Sequence, residues 1–130
     1  MKRRNFIKKA GIASAGILST NSLFSSISKS NISPNNTVNI GVIGTGSRGA
    51  GLTSMINRIE GINVIAASDT IPFRLESGIK KANTKAKGYK NYKALLDHKD
   101  VDAVIVATPF NTHSKIAIDA LDAGKHVYCE

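Results

Sequence analysis

Three glycines with the spacing G-x-G-x-x-G follow directly on an apolar, largely β-branched run from Val38 to Ile43. Gly44 would allow a sharp turn after a strand, because glycine adopts positive φ at little cost. Gly46 would let the backbone approach a pyrophosphate, and Gly49 would let the next helix pack closely on the strand. The first turn of that helix would offer free N–H groups and partial positive charge to phosphates. The spacing also occurs in ordinary glycine turns, so the rest of the chain decides between the two interpretations.

The remainder of the chain alternates apolar runs with helical patterns. The runs show no polar alternation, which is typical of parallel strands buried on both faces. Leu52, Met55, Ile56 and Ile59 have helical spacing and predict one apolar face on the helix after the glycines. These patterns predict an α/β fold with a doubly wound parallel sheet. Its strands are expected at residues 38–43, 62–68, 87–89, 101–107 and 126–129, with helices after Gly49, from Pro72, from Tyr92 and from His113 to Ala123.

The candidate binding residues all follow predicted strands. In doubly wound sheets, ligands bind outside the carboxyl ends of the strands. Because the candidates meet at one edge of the sheet, a ligand site is favoured over ordinary turns. We predict no catalytic residue and no metal site in this chain. The candidates are Gly44, Thr45, Gly46, Ser47, Arg48 and Gly49 after the first strand, Asp69 after the second, Thr108 and Pro109 after the fourth, and Glu130 after the fifth.

Asp69 stands 25 positions after Gly44, near the spacing of the acid that hydrogen-bonds the adenosine ribose in a dinucleotide site. A carboxylate there would accept from both ribose hydroxyls and repel a 2′-phosphate. The alternative is a plain helix N-cap. The next cation, Arg74, falls inside a predicted helix, so no phosphate partner is expected and a free 2′-hydroxyl is favoured. His113 opens a helix beside the fourth strand, where capping or packing explains it as well as ligand contact does.

The formal charge of +9 is concentrated in the first part of the chain. Six basic residues and no acid precede Thr37, which leaves 12 basic against nine acidic residues, or +3, in the remainder. These are scattered, apart from a lysine-rich stretch between Lys80 and Lys93 that we interpret as a solvated face. Nucleic-acid binding requires clustered cations, so no nucleic-acid partner is predicted. Cys129, the one cysteine, lies in an apolar run and is predicted to be a packed strand thiol.

Residues 1–30 are set aside as a targeting segment. Paired Arg3 and Arg4 precede a short, mildly apolar stretch from Ala10 to Leu18, which is too short to span a bilayer. The combination resembles a twin-arginine signal, so we expect export to the periplasm through the twin-arginine translocase. A basic amphipathic start on a membrane surface is the alternative. No A-x-A cleavage site is evident, so the segment is also expected to serve as an anchor if it is retained. Residues 31–37 are predicted to be a linker.

Residues 38–130 resemble the Gfo/Idh/MocA family, the relatives of glucose-fructose oxidoreductase and inositol dehydrogenase. Four segments carry the likeness: IGVIGTGSRG, the strand ending in Ser68-Asp69, DVDAVIVATPFNTH and AGKHVYCE. The resemblance implies an N-terminal Rossmann domain that binds NAD(P)(H), here NAD, and a C-terminal α/β substrate domain. It also implies action on sugars or cyclitols, or NAD-dependent glycoside cleavage in some groups. Several groups of the family carry twin-arginine leaders.

The same resemblance implies roles for single residues. The three glycines carry over to the pyrophosphate, Asp69 to the adenosine ribose, and Thr108 and Pro109 to the nicotinamide side. His113 matches a histidine found four places after that proline, and Glu130 matches the glutamate of the family's E-K-P or E-K-T motif. Phe110 stands where the family frequently has Asn. The catalytic lysine would come one residue after Glu130, so we expect a fragment, an early-terminated frame or one half of a split gene that is inactive alone.

Two other classes of function remain open from the residues. One is a free-standing NAD-binding protein that works with a separately encoded substrate domain. The other is a Rossmann methyltransferase, because S-adenosylmethionine sites also combine a glycine loop with an acid after the second strand. The neighbouring gene would test the first alternative, and titration with NADH against S-adenosylmethionine would test the second.

Overall fold

The computed structural model describes residues 37–130, so the predicted leader and nearly all of the predicted linker lie outside the described residues. Strands and helices alternate throughout this part of the chain. In order they are β1 (Val38–Ile43), α1 (Ser47–Ile56), β2 (Ile62–Ser68), α2 (Pro72–Lys81), β3 (Lys87–Tyr89), α3 (Tyr92–Leu96), β4 (Ala103–Val106), α4 (Phe110–Asp122) and β5 (His126–Cys129).

All five strands pair in parallel in the order β3-β2-β1-β4-β5. The chain moves outward from β1 to β3, crosses back over the sheet, and then moves outward again through β4 to β5. The predicted doubly wound α/β fold is therefore confirmed. The direction reverses between β1 and β4, which is the point where sheets of this kind open a crevice for a ligand.

The core lies on both faces of the three central strands. Val42, Val64, Val104 and Val106 are completely buried, so β1, β2 and β4 contribute β-branched side chains from the middle of the sheet. One apolar cluster contains Leu95, Val101 and Ile116 from the α3 and α4 side, and the other contains Ile40 and Ile105 against α1. Burial on both faces explains why these strands lack polar alternation.

The predicted apolar face of α1 is partly wrong. Met55 is 63% exposed and Ile59 is 51% exposed, and the helix ends at Ile56. The other two residues of that face pack partly buried against the sheet core, but the most buried positions of the helix carry small residues, because it lies directly against the glycine loop. A Cβ on Gly49 would stand 1.8 Å from the carbonyl oxygen of Gly44, so only a glycine allows this approach. The fully buried residues of α1 are Gly49, Ala50 and Thr53.

Two boundaries near the fourth strand also differ from the prediction. β4 spans four residues rather than the predicted seven, although Val101 is buried in the core before the strand begins. α4 begins at Phe110, three residues before His113, with Pro109 as its N-cap. Pro109 lies at φ −58°, close to the helical value, and its carbonyl accepts the N–H of Thr112 at 2.9 Å. The proline therefore starts the helix early.

The prediction of a packed thiol at Cys129 is wrong, because the residue is exposed. It lies at the end of β5, which is an edge strand that pairs only with β4 within the described residues. Along β5, only Val127 is even half-buried.

Two glycines two positions apart in α1 give a matched test of the close approach. Gly49→Ala should lower the free energy of unfolding by on the order of 1–3 kcal/mol, because the new methyl group overlaps the backbone of Gly44. Gly51→Ala should raise it by about 0.5–1 kcal/mol, because nothing lies within 4 Å of its Cβ position and alanine favours the helix. Urea unfolding of both variants measures the difference. Equal midpoints would show that α1 does not depend on contact at Gly49.

Candidate functional site

A cavity of about 830 Å³ opens at the carboxyl edge of the sheet, and we call it the edge cavity. Its walls come from the ends of β1, β2, β3 and β4 and from the segments that follow them. The predicted site residues that line it are Gly44, Gly46, Ser47, Arg48, Asp69, Thr108 and Pro109. Thr45, Gly49, His113 and Glu130 do not line it, although each contacts a part of the chain that does.

The glycine loop has the geometry expected of a phosphate-binding turn. Gly44 has φ +90° and its N–H donates to the Ser68 carbonyl at 2.8 Å, which pins the loop to the end of β2. The first helical hydrogen bond of α1 runs from the Ala50 N–H to the Gly46 carbonyl at 2.9 Å. The N–H groups from Gly46 to Gly49 therefore precede that ladder and are available to a ligand or solvent, as at any helix start. A pyrophosphate fits here, because a Cβ on Gly46 would meet no atom closer than 3.9 Å.

Thr45 is 2% exposed and lies behind the loop rather than in the edge cavity. Its N–H donates to Oδ2 of Asp69 at 2.8 Å, and its hydroxyl lies 2.8 Å from the carbonyl oxygen of Arg74 and 3.2 Å from the same Oδ2. A hydroxyl has one proton and the carbonyl can only accept, so the shorter bond takes it. Gly78 makes room for this side chain, since a Cβ there would stand 2.5 Å from Cγ2 of Thr45. Thr45 therefore positions the loop, and its predicted contact with a cofactor is not through its side chain.

Asp69 presents its carboxylate to the edge cavity from the end of β2. Oδ1 accepts the Ile71 N–H at 2.9 Å, and Oδ2 accepts the Thr45 N–H. The N-cap of α2 is Ile71, without a side-chain capping bond, so interpretation of Asp69 as a plain helix cap is wrong. Two backbone donors fix the carboxylate and leave further lone pairs on both oxygens, which suits the hydroxyls of a ribose.

The turn after β4 is held from behind by two residues of α4. Nε2 of His113 lies 2.6 Å from the carbonyl oxygen of Thr108, and because a carbonyl only accepts, Nε2 carries the proton. The Thr112 hydroxyl lies 2.7 Å from the Pro109 carbonyl and 2.8 Å from the Thr108 hydroxyl. By the same reasoning, Thr112 donates to the carbonyl and Thr108 donates to Thr112. His113 thus stabilises the turn rather than lining the cavity, and the Thr108 hydroxyl faces the cavity as an acceptor.

Arg48 and Glu130 form an ion pair between the first turn of α1 and the residue after β5. Nε of Arg48 donates to Oε1 of Glu130 at 2.5 Å, and the Tyr128 hydroxyl donates to Oε2 at 3.0 Å. The hydrogen bond from Arg48, followed by that from Tyr128, holds the pKa of Glu130 below its usual range. The same contact with Glu130 raises the pKa of Tyr128. Arg48 lines the edge cavity, so Glu130 acts on this site through Arg48.

Sequence reasoning missed the contribution of α2 and of the segment after β3. Arg74, Lys90, Asn91 and Tyr92 all line the edge cavity. Arg74 and Lys90 are cations in the same cavity as Asp69, which the expectation of no phosphate partner did not take into account. The one available signal is that Arg74 lies in the first turn of a helix that begins at the ligand edge of the sheet.

The described residues contain neither a metal-binding cluster nor a membrane-spanning helix. Between Thr37 and Glu130, no cluster of three or more His, Cys, Asp or Glu side chains has the arrangement of a metal site. Over the same residues, every helix is too short or too polar to cross a membrane.

The ion pair predicts a measurable change in titration. Arg48→Met should raise the pKa of Glu130 toward the ordinary carboxyl value, because the main group that stabilises the charged form is lost. The pair stabilises the folded chain above the ordinary pKa, and this contribution is lost as the pH falls through the lower folded-state pKa. Carboxyl carbon NMR across an acid titration measures the shift. Arg58→Met, at an exposed arginine that does not contribute to the shift of Glu130, is the control, and equal pKa values in both variants would contradict the pair.

Comparison with known proteins supports the interpretation of this edge. Residues 38–130 match the GFO_IDH_MocA family, described as an oxidoreductase family with an NAD-binding Rossmann fold. Inositol 2-dehydrogenase of Salmonella typhimurium is 34% identical over 95 residues, which cover 72% of this chain and 28% of that protein. Glycosyl hydrolase family 109 protein 2 of Shewanella sp. (strain ANA-3) is 39% identical over 101 residues, which cover 72% of this chain and 22% of that protein.

Solved structures agree with the sequence comparison. Myo-inositol dehydrogenase from Lactobacillus casei, in complex with NAD(H) and myo-inositol, superposes with a TM-score of 0.66 at 31% identity. The match covers 72% of this chain and 28% of that one. The chain thus spans about a quarter of the length of the relatives it matches. It belongs to the Gfo/Idh/MocA oxidoreductase family, and residues 38–130 form the NAD-binding Rossmann domain of that family.

Proposed function

We propose that this chain is the NAD(H)-binding domain of an exported oxidoreductase that acts on a sugar or cyclitol. The observation that carries the proposal is the edge cavity, in which the glycine loop, Asp69 and the turn at Thr108 meet. A dinucleotide needs donors for its pyrophosphate and acceptors for its two riboses. Across the sheet, the cavity has an acceptor at Asp69 after β2, donors in the glycine loop after β1 and an acceptor at Thr108 after β4.

Each part of the cavity has a distinct task in holding the cofactor. The N–H groups of Gly46, Ser47 and Arg48 bind the pyrophosphate at the start of α1. Asp69 accepts from the adenosine ribose hydroxyls, and Thr108 accepts from a hydroxyl on the nicotinamide side. When bound, NAD supplies the chemistry of hydride transfer. The chain's own contribution is to bind and orient the dinucleotide, with His113 and Thr112 fixing the turn at Thr108.

Substrate chemistry requires residues beyond those that hold the dinucleotide. The residues assigned above all hold or position the dinucleotide, and the chain spans about a quarter of the length of the relatives it matches. We therefore propose that the 130-residue chain binds NAD(H) without turning over a sugar by itself. The inositol dehydrogenase relatives favour a cyclitol as the substrate. The substrate-binding part would belong either to a longer form of this protein or to a separately encoded domain.

An NAD-dependent glycosidase is the second candidate. It is supported by the 39% identity to a glycosyl hydrolase family 109 protein, which is higher than the identity to the inositol dehydrogenases. Both candidates use the same NAD site, so they differ in substrate rather than in this domain. A Rossmann methyltransferase is the remaining alternative, and binding of S-adenosylmethionine in preference to NADH would support it.

Cofactor choice tests the proposed function directly. NADH should bind at least about tenfold more tightly than NADPH, because the Asp69 carboxylate repels the 2′-phosphate of NADPH. Two like unit charges about 4 Å apart repel by roughly 4 kcal/mol at an effective dielectric constant of about 20. Solvent screening lowers this energy, but about 1.4 kcal/mol is enough for a tenfold preference. Asp69→Ser should remove most of this difference by weakening NADH and relieving NADPH. Fluorescence titration of NADH and NADPH measures both affinities.

Asp122→Ser is the matched control for Asp69→Ser, because Asp122 is an exposed acid at the end of α4 that does not line the edge cavity. It should leave both affinities unchanged. Equal binding of NADH and NADPH to the unsubstituted chain would show that Asp69 does not discriminate between a 2′-hydroxyl and a 2′-phosphate on the ribose. Absence of NADH binding would contradict the proposed function itself.

Export is proposed from Arg3 and Arg4 in the leader, which lies outside the described residues. Replacing both with lysine preserves the charge but removes the arginine pair, so a tagged chain should stay in the cytoplasm. A variant with Lys8 and Lys9 changed to arginine keeps the pair and should still reach the periplasm. Cell fractionation followed by detection of the tag measures the distribution. Equal periplasmic signal from the double-lysine variant would contradict export by the twin-arginine route.

A further inference from the structure

The amino edge of the sheet, where its parallel strands begin, lies opposite the edge cavity and carries exposed apolar side chains. β1 and β2 start at this edge, and α1 and α2 end there, because each helix runs back across the sheet. Val38 is 43% exposed, Met55 63% and Ile59 51%. None of these side chains takes part in the NAD-binding arrangement described above.

The three apolar residues are grouped around one turn rather than scattered. The Arg58 N–H donates to the Met55 carbonyl at 3.1 Å, which starts the turn at the end of α1. The Val38 N–H donates to the Gly61 carbonyl at 2.8 Å, so the start of β1 lies against the end of the same turn. Ile59 lies between these two contacts along the chain. Exposed apolar side chains grouped in this way mark an interaction surface.

Basic residues accompany this turn. Arg58 lies within it, and the Asn57 amide donates to the Lys81 carbonyl at 2.7 Å, which joins the end of α1 to the end of α2. Lys85 follows in the loop after α2. All three basic side chains are exposed, and the ion pairs found in the described part of the chain include none of them. Glu60 is the one acid in the turn, so positive charge predominates.

The charge of the domain is concentrated on the same side. From Ser77 to Leu96, through the end of α2, β3 and α3, the chain has six lysines and no acid, and all six lysines are exposed. The rest of the chain after Thr37 has six basic and nine acidic residues, or −3. Lys81 and Lys85 belong to the lysine-rich stretch. Its field therefore attracts a negatively charged surface toward this side of the domain.

We propose that this amino-edge patch docks on a membrane surface that contains anionic lipids; its residues are Val38, Met55, Arg58, Ile59, Lys81 and Lys85. The apolar side chains enter the boundary between headgroups and acyl chains, and the cations contact the headgroup phosphates. An acidic protein would match the cations alone, whereas an anionic bilayer offers negative charge and an apolar interior together. Docking at this edge leaves the edge cavity open to NAD(H), so the inference goes beyond the proposed function.

The connection of the chain agrees with this orientation. The chain enters the described domain at Val38, which is itself part of the patch. A signal segment retained as an anchor would therefore be joined to the domain at the edge that we propose docks on the membrane.

A single tryptophan tests the proposal at the patch itself, because the chain has no tryptophan of its own. Met55→Trp should show blue-shifted emission when the full chain meets vesicles of equal parts phosphatidylglycerol and phosphatidylcholine, since the ring leaves water for the interface. Ile59→Trp is a second probe of the same turn. Phe110→Trp is the matched control, because Phe110 is 90% exposed but starts α4 at the opposite edge of the sheet, and its emission should not shift.

Charge removal gives a second readout. Lys81→Gln combined with Lys85→Gln should weaken binding to the same vesicles by about tenfold or more, because each cation near an anionic leaflet strengthens binding by about fivefold. Lys93→Gln combined with Lys115→Gln removes the same charge from α3 and α4 and should have a much smaller effect. Vesicle sedimentation measures binding, and thermal melts confirm that each variant folds. Every variant keeps the basic residues before Thr37, so their contribution cancels.

Absence of a blue shift from both patch tryptophans, or an equal shift from Phe110→Trp, would overturn the proposal. So would unchanged vesicle binding after loss of Lys81 and Lys85. Binding to polyglutamate that needs these lysines, without a blue shift on vesicles, would instead assign the patch to an acidic protein and contradict the membrane proposal. Titration of the native chain with NADH tests the proposed cofactor function separately, and its failure would leave the vesicle results unchanged.

Discussion

The buried contact of Thr45 with Asp69 is the interaction on which the Asp69 end of the edge cavity depends. The Thr45 N–H fixes the carboxylate, its hydroxyl holds the carbonyl of Arg74, and its methyl group occupies the space left by Gly78. One residue thus joins the glycine loop, the end of β2 and the first turn of α2. Because an unsatisfied buried donor or acceptor is costly, the three segments keep one mutual geometry. The same junction thus positions both Asp69, the proposed ribose-binding acid, and the first turn of α2 that carries Arg74.

A second constraint is the close approach of helices to the central strands. Gly49 allows α1 to touch Gly44, and Gly41 in β1 allows the Leu95 side chain of α3 to lie over the strand, since a Cβ there would be 2.6 Å from Cδ2. Gly49 thereby lets the start of α1 lie directly on the sheet edge. The helix therefore delivers its N–H groups and partial positive charge to the floor of the edge cavity. The packing of α1 and the proposed phosphate binding therefore depend on the same glycine loop.

The hydrogen-bond donors and acceptors of the edge cavity are arranged in an order that complements the groups of a dinucleotide. Backbone donors lie in the middle, at the start of α1, and acceptors lie at both ends, in the Asp69 carboxylate and the Thr108 hydroxyl. Different hydrogen bonds hold these two acceptors in place. Backbone N–H groups hold the carboxylate. The Thr108 hydroxyl instead donates to the Thr112 hydroxyl, because Thr112 donates its own hydrogen to the Pro109 carbonyl. A ligand with a central anion and flanking hydroxyls matches this order.

The amino-acid sequence determined the element order, the parallel sheet and most of the residues at its carboxyl edge, because glycine spacing, apolar runs and strand-ending polar residues are local signals. It did not determine the burial of Thr45, the support role of His113 or the exposure of Met55, since each depends on which neighbour a side chain meets. Arg74 shows the difference most clearly. In the sequence it is one cation in a helix, and only the packing of α2 beside the glycine loop places its Nη1 atom 3.9 Å from the Cβ position of Gly46. Contacts between segments distant along the chain have no local sequence signature.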